Sequence, residues 1–217
     1  MSPDNTREAR WPAAIALLAV GCLWLALPRR LSVGPAWLLL AIVLALLLPI
    51  AFSHRRGHHT LNRILTLAAN GVITLAMIWS LIFLVEDLPK HRETPETLLR
   101  SAGSLWIANV FVLALWYWRL DAGGPHGRDR RAGRLDSSFQ FPQMLGQDSL
   151  DPEIKWESLA WSPHFVDYLF LAFNTSAAFS PADTAVLSRW AKLGMMTQAL
   201  ISMSIVVLLA ARAVGIL

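Results

Sequence analysis

The chain has 217 residues, of which 55% are hydrophobic and 16% charged, with a formal net charge of +4. Soluble domains carry roughly 25% charged residues, and the apolar blocks here are too long for the core of one soluble domain of this length. The arginines stand beside the apolar blocks, which suits anionic lipid headgroups, and no basic helix or aromatic-interleaved basic strand supports nucleic-acid binding.

A helix crosses about 30 Å of hydrocarbon with about 20 apolar residues. The polar, mixed-charge stretch 1–10 leads into an apolar run over 11–28. That run ends at Pro28-Arg29-Arg30 rather than at a small-residue cleavage site, so a retained first span is expected. Cys22, the single cysteine, lies inside this run and can neither form an intramolecular disulfide nor complete a metal site. Further spans are expected over 31–52, 65–85 and 102–118, making 1–119 a four-span membrane region. Trp11, Trp37, Trp106, Trp116, Trp118, Trp161 and Trp190 stand near block ends, the headgroup level favoured by amphipathic rings.

Composition then shifts to Gly, Pro, Arg, Asp and Gln, so 120–163 reads as a polar cytoplasmic connector with little regular structure. The remainder, 164–217, is expected to be a two-helix membrane module with apolar segments 164–179 and 193–217. A turn-like Ser180-Pro181-Ala182-Asp183-Thr184 joins them. The fold expected is therefore an all-α, polytopic membrane helical bundle with six membrane-embedded helical segments. Because 164–179 is short and polar, five spans plus a re-entrant helix is the alternative.

If all six segments cross and the N-terminus is cytoplasmic, most of the arginine and lysine falls inside, including Arg55, Arg56, Arg119 and Arg128. Arg29, Arg30, Lys90, Arg92, Arg100, Arg189 and Lys192 fall outside. A multi-pass cell-membrane protein with both termini cytoplasmic is expected. No internal repeat or recurring pair of broken helices points to an inverted-repeat transporter.

Polar residues within spans are costly in lipid and mark where function could lie. Thr66, Asn70 and Thr74 recur every four residues on one helix face, as do Gly194, Gln198 and Ser202. Each set fits a packing seam between helices, or a hydrated path if the faces converge. Asp167 is the one acidic residue in a candidate apolar segment, with Asn174 on the same face and Thr175 and Ser176 beside it. It could serve a cation or proton, pair with Arg189, or simply cap its helix near the interface.

His54, His58 and His59 cluster in the second connector, but the intervening Arg55, Arg56 and Gly57 favour a solvated basic loop, and no metal site is expected. Glu86, Asp87, Glu93 and Glu96, interleaved with Lys90, His91 and Arg92, read as a mixed-sign surface loop. No nucleophile elbow, HExxH helix, phosphate loop or dinucleotide fingerprint occurs, so neither a catalytic residue nor a cofactor is expected.

The stretch FVDYLFLAFNTSAAFSPADTAVLSRWAKLGMMTQALISMSIVVLLAARAVGIL, with Phe141-Pro142-Gln143, resembles the C-terminal part of a family of uncharacterised bacterial integral membrane proteins, which brings no established activity. The same region is distantly similar to the pore module of tetrameric potassium channels. That resemblance implies a pore helix over 167–175, a filter at Ala178-Phe179-Ser180 and an inner helix over 189–217. A potassium filter relies on glycine to aim successive carbonyls at one axis, whereas 174–183 has no glycine and contains Pro181.

Two main classes of function follow. One is a channel-like or transport-related protein working through 164–217, with Asp167, Asn174, Thr175, Ser176, Ser180, Asp183, Gln198 and Ser202 as polar-path residues. Its species is a small ion of unassigned identity, and a homo-oligomer encloses the axis. The other is a non-catalytic scaffold, accessory or lipid-interacting protein, with membrane lipids as its partners. What separates them is whether the polar groups face a common cavity or are consumed in helix contacts.

Overall fold

The computed structural model describes residues 11–29, 31–32, 34–55, 59–87, 94–130, 137–145 and 161–213. Its helices are α1 (Trp11–Leu25), α2 (Trp37–Arg55), α3 (His59–Asp87), α4 (Pro95–Leu120), α5 (Pro125–Arg130), α6 (Pro142–Leu145), α7 (Phe165–Ala178) and α8 (Arg189–Ala213). A 3-10 turn over Asp121–Gly123 follows α4, and two short strands, β1 (Phe139–Gln140) and β2 (Ala185–Val186), complete the described elements.

The chain is a predominantly helical protein, and three described helical stretches are long and apolar enough to cross a membrane: Asn62–Glu86, Pro95–Gly123 and Arg189–Ala211. Six were expected. Helix α1 has 15 residues, about 22 Å at 1.5 Å per residue, and Trp37–Pro49 is likewise short of a crossing. Turns around Pro28 and Pro35 shorten the expected second span. Leu31 N–H donates to Pro28 O at 3.0 Å, Leu38 N–H to Pro35 O at 2.9 Å, and the helix starts only at Trp37. Helix α4 gains length instead. Thr94 Oγ1 accepts Thr97 N–H at 3.3 Å as an N-cap, and Pro95 takes the first helical position, where its missing N–H is harmless.

Two compact units partition the chain, Ala13–Val112 with Ile201–Leu217, and Met1–Pro12 with Leu113–Leu200. In the first, α2 packs on α3, and α3 buries a helical stripe containing Asn62, Thr66, Asn70, Ile73, Met77 and Ser80. Asn109 Nδ2 donates to Ser202 Oγ at 2.9 Å, joining α4 to α8.

The second unit has an aromatic core around the fully buried Phe139, whose ring lies 5.2 Å from Tyr117, 6.1 Å from Tyr168 and 5.8 Å from Trp190. Phe139 belongs to the expected structureless connector, yet it sits in β1. That strand pairs antiparallel with β2 in the register Phe139↔Val186 and Gln140↔Ala185. Helices α5 and α6 and the 3-10 turn also fall within that connector. The expectation of little regular structure fails here because Phe139 and Phe141 are apolar anchors among polar neighbours, and their burial fixes the backbone around them.

Within this unit α7 and α8 run parallel. Tyr168 near the start of α7 and Trp190 near the start of α8 both reach the Phe139 ring. Eight residues further along each helix, Ser176 and Gln198 are bonded to one another. The segment between them therefore returns along α7. Phe179 ends the helix in the left-handed conformation, Thr184 N–H closes a turn on Pro181 O at 3.2 Å, and β2 follows.

Gly124 makes the corner after α4 with φ 80° and ψ −177°, a region open essentially to glycine. A Cβ there would also lie 2.8 Å from Arg119 O. Gly124→Ala is expected to destabilise the protein by about 1–3 kcal/mol, read as an earlier thermal unfolding midpoint in detergent. Gly71→Ala, whose added Cβ meets nothing within 4 Å, is the control and is expected to leave the midpoint unchanged or slightly raised.

Candidate functional site

At the end of α4 the Asp121 side chain is fully buried and accepts three hydrogen bonds. The donors are Ser137 Oγ at 2.7 Å, the Ser138 backbone N–H, and the Tyr168 hydroxyl at 2.6 Å. Trp190 Nε1 extends the network by donating to Ser138 Oγ at 3.1 Å. One carboxylate thus ties α4, the stretch before β1, α7 and, through Ser138, the start of α8.

Arg128 is buried beside it, 3% exposed. Its Nη1 donates to Trp118 O at 2.9 Å and Asp121 O at 3.1 Å, carbonyls at the C-terminal end of α4 where the helix dipole is negative. Its guanidinium carbon lies 5.1 Å from the centre of the Tyr168 ring, a cation–π position. Tyr168 therefore serves both charges, hydroxyl to the carboxylate and ring to the guanidinium. Composition assigned Arg128 to a solvated loop and passed over Asp121 and Tyr168. The usable signal was an aspartate closing an apolar block, followed after Ala122 by Gly123-Gly124-Pro125.

The expected polar-path residues resolve one by one. Asp167 caps α7: its carboxylate accepts His164 N–H at 2.7 Å. Thr175 Oγ1 donates back to Leu171 O at 2.8 Å. Gln198 is fully buried and saturated. Its Oε1 accepts from Tyr117 at 2.8 Å, and its Nε2 donates to Ala172 O at 2.7 Å and Ser176 Oγ at 2.8 Å. Close packing of Tyr117 on Gly194, where a Cβ would lie 3.2 Å from Cε1, accompanies that reach. Ser202, which belongs to the first unit, is bonded to Asn109 of that same unit. Ser180 Oγ accepts Ala182 N–H at 3.3 Å in the turn, and Asp183 is exposed there. Asn174 Nδ2 alone of this set is buried with no partner.

In α3, Thr66 and Thr74 donate to the carbonyls of Asn62 and Asn70 at 2.8 and 2.6 Å, while the Asn70 amide is buried with no hydrogen-bond partner. Among the described residues no group of three or more His, Cys, Asp or Glu could hold a metal ion. The side chains of His54, His58 and His59, most of the Glu86–Glu96 charge cluster, and both chain termini lie outside what is described.

The first unit contains one further feature, an apolar cleft of about 460 Å³ between α2 and α3, with Trp24 and Ser32 also in its lining. No protein-family model, curated protein or solved structure matches the chain.

Tyr168→Phe keeps the ring under Arg128 and removes one donor from the buried carboxylate. It is expected to cost about 1–3 kcal/mol, detectable as a lowered unfolding midpoint and faster proteolysis within 137–145. Gln198→Leu strands the Tyr117 hydroxyl and two acceptors on α7. At about 0.6–2 kcal/mol per interhelical bond in a membrane, its loss of thermal stability should exceed that of the surface cap variant Asp167→Asn.

Proposed function

We propose that the protein is a non-catalytic, lipid-interacting integral membrane protein of accessory or scaffold type. The observation that carries this reading is the saturation of the fully buried Gln198 by bonds within its own unit. Asp167 and Thr175 bond within α7 itself, and Ser176 and Ser202 are spent on contacts between helices. Polar side chains used this way are the glue of membrane helix packing. The cleft, by contrast, offers lipid an apolar concavity.

In this reading α1, α2 and α7 are embedded beside the three long helices, and α7 is re-entrant. Its support is the parallel course of α7 and α8 and the β1–β2 pairing, which hold the connector and the start of α8 at one level. Helix α8 then begins on the cytoplasmic side with the connector, and the C-terminus lies opposite the N-terminus. That moves Arg189 and Lys192 inside and only Arg212 outside, which strengthens the positive-inside asymmetry. An N-terminal reporter is expected inside and a C-terminal reporter outside; both inside would overturn the re-entrant placement.

A channel-like reading draws on one specific feature. The return segment after α7 is irregular and carries exposed Ser180 and Asp183, near the unpartnered Asn174 amide in sequence. Irregular backbone at membrane depth is tolerated where it is buried in protein or lines water. In a homo-oligomer such segments could surround an axis for a small ion. Purified protein in liposomes is expected to give no ion flux above protein-free vesicles. Flux altered by Asn174→Asp or Asp183→Asn establishes the channel and overturns the accessory reading.

A further inference from the structure

Over its first three turns α8 has two unlike sides. Ala191, Met195 and Gln198 are buried. Leu193, Met196 and Leu200 are instead 64%, 61% and 63% exposed, and Arg189 and Lys192 are exposed with them. At about 100° per residue these outer side chains fall within an arc of about 100°, opposite the buried set. They form one strip, with two cations at its start and hydrocarbon beyond. From Arg189 to Leu200 the strip runs about 16 Å, close to one leaflet of a hydrocarbon core about 30 Å thick.

The first turn of α8 carries no acidic residue to offset the two cations, and the nearest acidic residue in the sequence, Asp183, is exposed in the turn before β2. Between the cations, Trp190 is anchored. Its Nε1–H donates to Ser138 Oγ at 3.1 Å, its ring lies 5.8 Å from Phe139, and Ser138 is itself bonded to Asp121. Arg189 and Lys192 therefore project from a turn tied to the buried network. A soluble anion would engage the cations alone, and a zwitterionic lipid, with no net charge, chiefly the hydrocarbon. An anionic lipid matches both parts in the order in which they occur. We propose that this strip holds an anionic glycerophospholipid, its headgroup between Arg189 and Lys192 and one acyl chain along Leu193, Met196 and Leu200. In the re-entrant placement this is the cytoplasmic leaflet, whose surface potential is negative. The site rests on the lipid-interacting reading, and the two fail separately: ion flux removes the reading, whereas loss of lipid selectivity without flux removes only the site.

The test titrates purified protein in detergent with phosphatidylglycerol and phosphatidylcholine of identical acyl chains and counts bound lipid by native mass spectrometry. The first phosphatidylglycerol is expected to bind about 25-fold more tightly than the first phosphatidylcholine, about fivefold from each cation. Arg189→Gln and Lys192→Gln should each reduce the preference to about fivefold, and the double variant should bring the two lipids to parity. Both side chains are exposed, so these variants leave the packed side of α8 intact. Arg63→Gln, at an exposed cation on α3, should leave the preference unchanged. Equal binding of both lipids by the unsubstituted protein overturns the proposal, as does a preference that survives the double substitution. Displacement of the lipid by glycerol 3-phosphate assigns the cations to a soluble anion and overturns it too. A disulfide between copies carrying Met196→Cys and Cys22→Ser, formed equally with and without phosphatidylglycerol, seats a second chain on the strip with the same result.

Discussion

A carboxylate removed from water must find compensation, and around Asp121 that requirement organises a whole unit of the protein. Desolvating an ion of this size costs several kcal/mol even after relaxation, so Asp121 can be buried only with donors already in place. The chain supplies them from separate segments: a serine hydroxyl and a backbone N–H before β1, and a tyrosine hydroxyl on α7. Each donor constrains its own segment. Ser138 is held where β1 can pair with β2, and Tyr168 is held where its ring can face Arg128. Packing and charge reinforce each other here, since Phe139 lies among the same rings that carry the donors.

From that node the parallel placement of α7 and α8 follows. With the starts of both helices tied at the Asp121 level, the next polar layer is met about 12 Å along each, where Gln198 joins Ala172 and Ser176 to Tyr117. In lipid there is no hydrophobic drive between helices, so such hydrogen bonds and close contacts at small residues fix the geometry. Gly194 fits this logic, bringing the Tyr117 ring to van der Waals distance one turn before Gln198. The polar residues of this module thus define where helices sit.

Much of this was legible in the sequence, and the parts that were not failed for identifiable reasons. The period-four faces of Thr66, Asn70 and Thr74, and of Gly194, Gln198 and Ser202, follow from helical geometry, and most of these residues are packed or hydrogen-bonded. The capping role of Asp167 was among the readings its position allowed. The late start of the second helix was not legible, because apolar composition resumes at Leu31 and continues through a turn at Pro35 that only backbone geometry reveals. Arg128 was hidden for a different reason. An arginine in a Gly- and Pro-rich stretch reads as solvated, and its burial depends on α4 carbonyls and on Tyr168, 40 residues onward. Nor could a two-residue strand register as periodicity, since its partner lies beyond α7.

The separation of Asp121 from its tyrosine donor has a consequence for biosynthesis. The two are 47 residues apart, and at a ribosomal rate of about 5–20 residues per second the acceptor precedes its donor by about 2–10 s. During that interval the carboxylate needs water for its hydrogen bonds. The C-terminal end of α4 therefore stays hydrated until α7 is made, and closing the unit around Asp121 is a late event, after α1 to α4 have been synthesised.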